Sequence, residues 1–163
     1  MKKQVLVSFL LLASAIAKAQ TEPLTKKQIW KFLTQDKHVE LTACNSSQSF
    51  FKSDTISFYI NVNYFYQSAK CCEFIQWEVY KGRKGIQTEM QVCEEPSTAK
   101  VRTEGDYFGI KIAGQDGKFF LERKSNEKKI DRFEVLEITE VQLPKDRNRV
   151  QILTLARVIP RNK

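Results

Sequence analysis

Histidine occurs only once among the 163 residues, at His38. Imidazole catalysis and histidine-rich metal binding both need a second group at set geometry, and none stands near it in sequence. His38 therefore reads as a surface or packing residue. Glycine is scarce, with 6 in all. Neither Gly105 with Gly109 nor Gly114 with Gly117 leads into a helical pattern, which excludes a phosphate-cradling loop. The acidic pairs Glu94-Glu95, Glu134 with Glu137, and Glu137 with Glu140 lie in loop or strand patterns without the context that glycoside hydrolysis requires. No catalytic residue, cofactor or metal site is assigned, and no enzyme activity is expected.

Long apolar runs are also missing, with one exception. Val5 to Ile16 follows Lys2-Lys3 and precedes Ala17-Lys18-Ala19, the three parts of a secretory signal. The expected organisation is a signal peptide over 1–19 and a single domain over 20–163, exported to the periplasm or the cell exterior. No later run reaches spanning length, so no transmembrane segment is expected in the mature chain. The signal removes three lysines and no acid, so the formal +8 falls to +5 for the remaining 144 residues (163 less 19). Such a length supports one domain with a substantial core. The basic residues are scattered in sequence. Their densest groups, Lys81-Gly82-Arg83-Lys84 and Arg123-Lys124 with Lys128-Lys129, fall at expected turns. This is no nucleic-acid stripe, and an anionic envelope surface suits so mild a surplus better.

Cysteine is present in a telling number. Cys44, Cys71, Cys72 and Cys93 make an even count in a chain marked for export, which argues for disulfides. Their spacing matches no zinc pattern. The expected pairing is Cys44 with Cys71 or Cys72, and Cys93 with the remaining one. Closing a first loop of about 28 residues stabilises by roughly 2–4 kcal/mol. Adjacent cysteines on a strand point to opposite faces, which suggests that one pair stays reduced.

The remaining pattern is β. Thr25 to Gln28 fits a capping box, and Ile29, Trp30 and Leu33 share a helical face, giving a short helix over 26–34 or, alternatively, a first strand from Trp30. Val39, Leu41 and Ala43 alternate with polar neighbours in a strand, followed by a polar loop over 45–53. Asp54 to Tyr66 reads as a hairpin turning at Asn61-Val62-Asn63, stapled by cysteines at its open end. Phe74 to Val79 and Ile86 to Cys93 pair across a glycine-containing turn, with a short strand expected near Lys100 to Thr103. Asp106 to Ala113 and Lys118 to Arg123 flank Gly114-Gln115-Asp116-Gly117, a clean hairpin signal. Arg132 to Leu143 slips its apolar phase between Val135 and Leu136, which predicts a bulge. Val150 to Ile159 ends the domain. Eight or nine strands without βαβ alternation imply an antiparallel up-and-down barrel, with a β-sandwich as the alternative.

Trp30, Cys44, the segment Asp54-Thr55-Ile56-Ser57-Phe58, Cys71 or Cys72, Trp77 and the closing Val150 to Val158 together resemble the lipocalin-like β-barrel proteins of bacterial envelopes, the small exported Bacteroidota type. The chain departs from that pattern at Gln28 and Ile75, where glycines are usual. The resemblance implies a calycin-like barrel that binds small, mainly apolar molecules.

The aromatic residues point the same way (Trp 2, Tyr 5, Phe 11), because many fall on predicted strands. Inward side chains of an eight-stranded barrel either fill it or line a pocket for one small ligand. The expected function is an exported, non-enzymatic binding protein holding a small hydrophobic or amphipathic ligand. The lining candidates are Phe58, Ile60, Tyr64, Trp77, Phe108, Ile110 and Phe120. The alternative is a structural or interaction protein of the envelope, with a filled core and a protein partner met through loops or an edge strand. An exported inhibitor and a hydrolase rank below these two.

Overall fold

The computed structural model describes residues 23–60, 71–93, 96–142 and 149–159. Nine strands form one antiparallel sheet: β1 His38–Cys44, β2 Thr55–Ile60, β3 Glu73–Tyr80, β4 Lys84–Gln91, β5 Thr98–Ala99, β6 Tyr107–Gln115, β7 Lys118–Ser125, β8 Ile130–Gln142 and β9 Arg149–Arg157. The sheet order is β3-β1-β2-β9-β8-β7-β6-β4-β5, and β3 also pairs with β4. That last pairing closes eight strands into a barrel and leaves β5 outside, against Met90 and Gln91. The barrel is the architecture the lipocalin resemblance implies, and it rules out two open sheets.

One connection departs from a meander. β1 sits between β2 and β3, antiparallel to both, so those two strands run the same way and cannot form a hairpin with each other. The expected return arm at Tyr64 to Tyr66 lies outside the described residues, as does the signal region. The neighbours of β2 are β1 and β9.

Both barrel ends receive a helix. Helix α1 spans Lys26–Leu33 and opens with the expected capping box: the Gln28 amide donates to Thr25 Oγ1 at 3.2 Å and the Thr25 amide to Gln28 Oε1 at 2.7 Å. This satisfies two amides that would otherwise lack partners, so the helix wins over the strand alternative at Trp30. Its buried face is Ile29, Phe32 and Leu33, an i, i+3, i+4 set, and Trp30 stands at its flank, half-buried. The second helix, α2 at Ser49–Lys52, follows a short 3-10 turn after β1. It falls where a plain polar loop was expected. Phe50 makes the difference: it is 4% exposed and reaches into the barrel core.

The remaining strand expectations hold in register. β6 and β7 pair from Phe108↔Ser125 to Gln115↔Lys118, turning through Asp116 (φ 52°) and Gly117 (φ 75°), the left-handed pair that a tight hairpin demands. The bulge lies between Val135 and Glu137. Before it Phe133 and Val135 face inward, and after it Ile138 does, while the extra residue Leu136 is exposed. The short strand expected at Lys100 to Thr103 is β5, two residues earlier.

Candidate functional site

Strand alternation sends Ile75, Trp77 and Val79 of β3 into the barrel, with Phe58 of β2, Phe108 and Ile110 of β6, and Phe133 of β8 converging from other walls. Trp77 is fully buried. Its ring centroid lies 4.4 Å from Phe58, 5.5 Å from Phe108, 5.7 Å from Phe133 and 6.1 Å from Phe50. These are tilted and edge-on contacts of the kind that add about 0.5–1.5 kcal/mol each beyond area burial.

A polar tie runs through this apolar cluster. Trp77 Nε1 donates to Gln87 Oε1 at 3.0 Å, and Arg123 Nη1 donates to the same oxygen. Arg123 Nε and Nη2 reach Asp131 Oδ2 at 3.1 and 2.7 Å. The guanidinium carbon also lies 5.4 Å from the Trp77 ring centre and 5.2 Å from that of Phe108. Arg123 is only 8% exposed, so its charge survives burial because carboxylate, amide and ring faces replace water. Gly85 leaves the room that the Phe108 ring occupies, since a methyl there would run into it. Arg157, at the end of β9, packs between Phe133 and Phe50 and donates through Nη2 to the Phe50 carbonyl at 2.8 Å. Removal from water holds its pKa below the ordinary arginine value; nearby Asp131 opposes this shift and Arg123 adds to it.

Compared with known protein families, curated proteins and solved structures, the chain finds no match. Its chemistry must therefore be read from its own residues.

Of the seven lining candidates, Phe58, Ile60, Trp77, Phe108 and Ile110 are buried in the main core. Tyr64 lies outside the described residues. Phe120 needs correcting: Leu121, Arg123 and Ser125 set the inward phase of β7, so Phe120 faces outward, with the Arg132 guanidinium 4.0 Å from its ring centre. The interior candidates pack into the core. Among the described residues two clefts open to solvent. One, about 390 Å³, lies beside Cys44, Ser49, Thr55 and Tyr59. The other, about 500 Å³, lies over the β4–β6 pairing, between Tyr80, Lys84, Tyr107 and Asn126. Among the lining candidates only Phe108 borders either of these clefts.

Sequence reading missed the polar tie, although its signal was present. The alternation Leu121, Arg123, Ser125 places Arg123 on the core face, and Asp131 stands opposite it across the next turn. His38 is exposed, 3.4 Å from Glu40 and beside the Tyr80 ring. Among the described residues no three of His, Cys, Asp or Glu gather as metal ligands would.

The cysteines join as Cys44–Cys71 and Cys72–Cys93, with Cα separations of 6.0 and 5.2 Å. Both bridges form, against the expectation that one pair stays reduced. Cys71 and Cys72 precede β3 rather than lying within it, so one turns to β1 and the other towards the end of β4, the two sheet neighbours of β3. Around them Cys71 and Phe74 are buried in a second apolar cluster with Cys44, Tyr59 and Val92. Paired thiols of this kind fit an oxidising compartment outside the cytoplasm.

Proposed function

We propose that the chain is an exported, non-enzymatic interaction protein of the cell envelope, whose barrel is a filled scaffold and whose partners meet its outer surface. One observation carries the reading: the place where a calycin would hold its ligand is taken by Trp77, its four ring neighbours and the Arg123–Asp131 pair. For a small ligand to enter, this cluster must part, at the cost of leaving a buried ion pair without its surroundings. The outer edge of β5, unpaired among the described residues, with exposed Thr98 and Ala99 and with Val101 84% exposed just beyond, offers one surface for a partner.

The ligand-carrier reading is the rival, and Trp77 reports on both. Titration of the Trp30→Phe variant with retinol and with N-phenylnaphthylamine, both uncharged, followed by tryptophan emission and thermal melting, is expected to leave Trp77 emission and the melting temperature unchanged. One-to-one uptake that raises the melting temperature would overturn the filled-scaffold reading in favour of an interior ligand.

A further inference from the structure

Basic residues that look scattered in sequence gather at one end of the barrel. Helix α1 presents Lys26, Lys27 and Lys31, and Lys37 follows on the way into β1. The β3–β4 turn adds Lys81, Arg83 and Lys84. The two segments adjoin: Arg83 Cζ lies 4.9 Å from the centre of the Trp30 ring, and His38 pairs with Tyr80, which sets Lys37 beside Lys81. All seven cations are exposed, and none belongs to an ion pair among the described residues. With Asp36 counted, residues 25–37 and 80–84 carry +6, whereas all of 20–163 carries +5, so everything else sums to −1. These two adjoining segments alone account for the surplus of the domain.

We propose that this end is a contact surface for an anionic lipid bilayer. The proposal deepens the surface-interaction reading above by naming the partner. Three features select a lipid surface. Six of the seven cations are lysines, hydrated point charges suited to diffuse attraction rather than to the forked recognition that arginine provides. Amphipathic rings stand at the same end: Trp30 is half-buried, and Tyr80 and Tyr107, 36% and 38% exposed, flank the cleft beside Lys84. Such rings settle at the headgroup level of a bilayer. A nucleic acid would want bare ring faces for stacking, but Arg83 already covers a face of Trp30.

The test is co-sedimentation of exported, fully oxidised protein with vesicles of phosphatidylcholine alone or mixed with phosphatidylglycerol, at low and at physiological salt. Binding is expected only to the phosphatidylglycerol vesicles and should weaken as salt rises. At about fivefold per lysine, the variant Lys26→Gln/Lys31→Gln/Lys81→Gln is expected to lose roughly a hundredfold in affinity. The variant Lys52→Gln/Lys100→Gln/Lys129→Gln removes the same net charge elsewhere and is expected to lose less than about threefold. Unchanged urea midpoints show that both variants fold. Equal losses in the two variants, equal binding to phosphatidylcholine alone, or tighter salt-dependent binding to duplex DNA than to vesicles would each overturn the proposal. One-to-one uptake of an uncharged apolar probe strikes only the filled-scaffold reading, so the two failures are distinguishable.

Discussion

Truncating Arg123 is the most direct probe of what the barrel interior is. The guanidinium has three donors engaged, one on Gln87 and two on Asp131, and its side chain is 10% exposed against 15% for that of Asp131. Arg123→Ala removes one partner of a buried pair and strands the other. Such losses cost about 3–5 kcal/mol, because the remaining carboxylate keeps its desolvation without compensation. For a domain of this size roughly 2–4 °C accompanies each kcal/mol, so the melting temperature is expected to fall by about 10–15 °C. Urea unfolding followed by tryptophan emission, with both disulfides intact, gives the same quantity as a lower midpoint at unchanged slope. The double variant Arg123→Met/Asp131→Leu is expected to regain most of the loss, since apolar side chains of similar volume commonly replace a buried pair at little cost. A loss below about 1 kcal/mol for Arg123→Ala, the worth of a solvated pair, would refute the reasoning. It would mean that water already bathes Arg123 and that the interior is hollow and wet.

Phe58→Ala removes a fully buried ring in tilted contact with Trp77 and is expected to cost about 3–5 kcal/mol in urea melts, while creating a cavity that takes up benzene when the wild type does not. Replacing both Cys44 and Cys71 by Ala opens a loop with a sequence separation of 27. Chain-entropy arguments put the resulting loss at about 3.5 kcal/mol, measurable as a lower urea midpoint. Tyr80 donates to Glu78 at 2.8 Å; this bond, then burial, then the Glu78 charge raise its pKa above the ordinary 10.0. The raised value favours the folded state below pH 10, and that contribution fades as pH climbs through the folded pKa. Ultraviolet titration against Tyr80→Phe should reveal a late phenolate that Glu78→Gln moves back towards 10.0.

Local pattern told most of the fold. Alternation over Phe74 to Val79 and the Gly114 to Gly117 turn are short-range signals, and both hairpins stand where such signals place them. The bulge was visible because Val135 and Leu136 broke a period of two, which only an extra residue reconciles with one buried face. The placement of β1 between β2 and β3 left no such trace, since strand order depends on pairing between distant segments. Phe119 and Phe120 show the same limit inside the site: two neighbouring aromatics satisfy either phase, and only Leu121 and Arg123 beyond them decide which ring points inward. Phe50 sat in a run of polar residues and looked like loop, yet one buried ring sufficed to draw a helical turn against the barrel. The basic end was invisible for the opposite reason. Its cations belong to two segments more than forty positions apart, and a hydrogen-bonded strand pair brings them together.

Neighbouring Cys71 and Cys72 set a demand on how the chain matures. Exchanging their partners would pull the chain entering β3 one position forward at one bridge and one position back at the other, so the two wrong bridges cannot both close without distorting the native pairing of β3 with β1 and β4. A wrongly oxidised molecule would therefore strain the entry to the strand that carries Trp77, with covalent bonds holding the error in place. Only thiol exchange can undo it. A host lacking disulfide isomerase should accumulate a trapped, poorly folded isomer of identical mass.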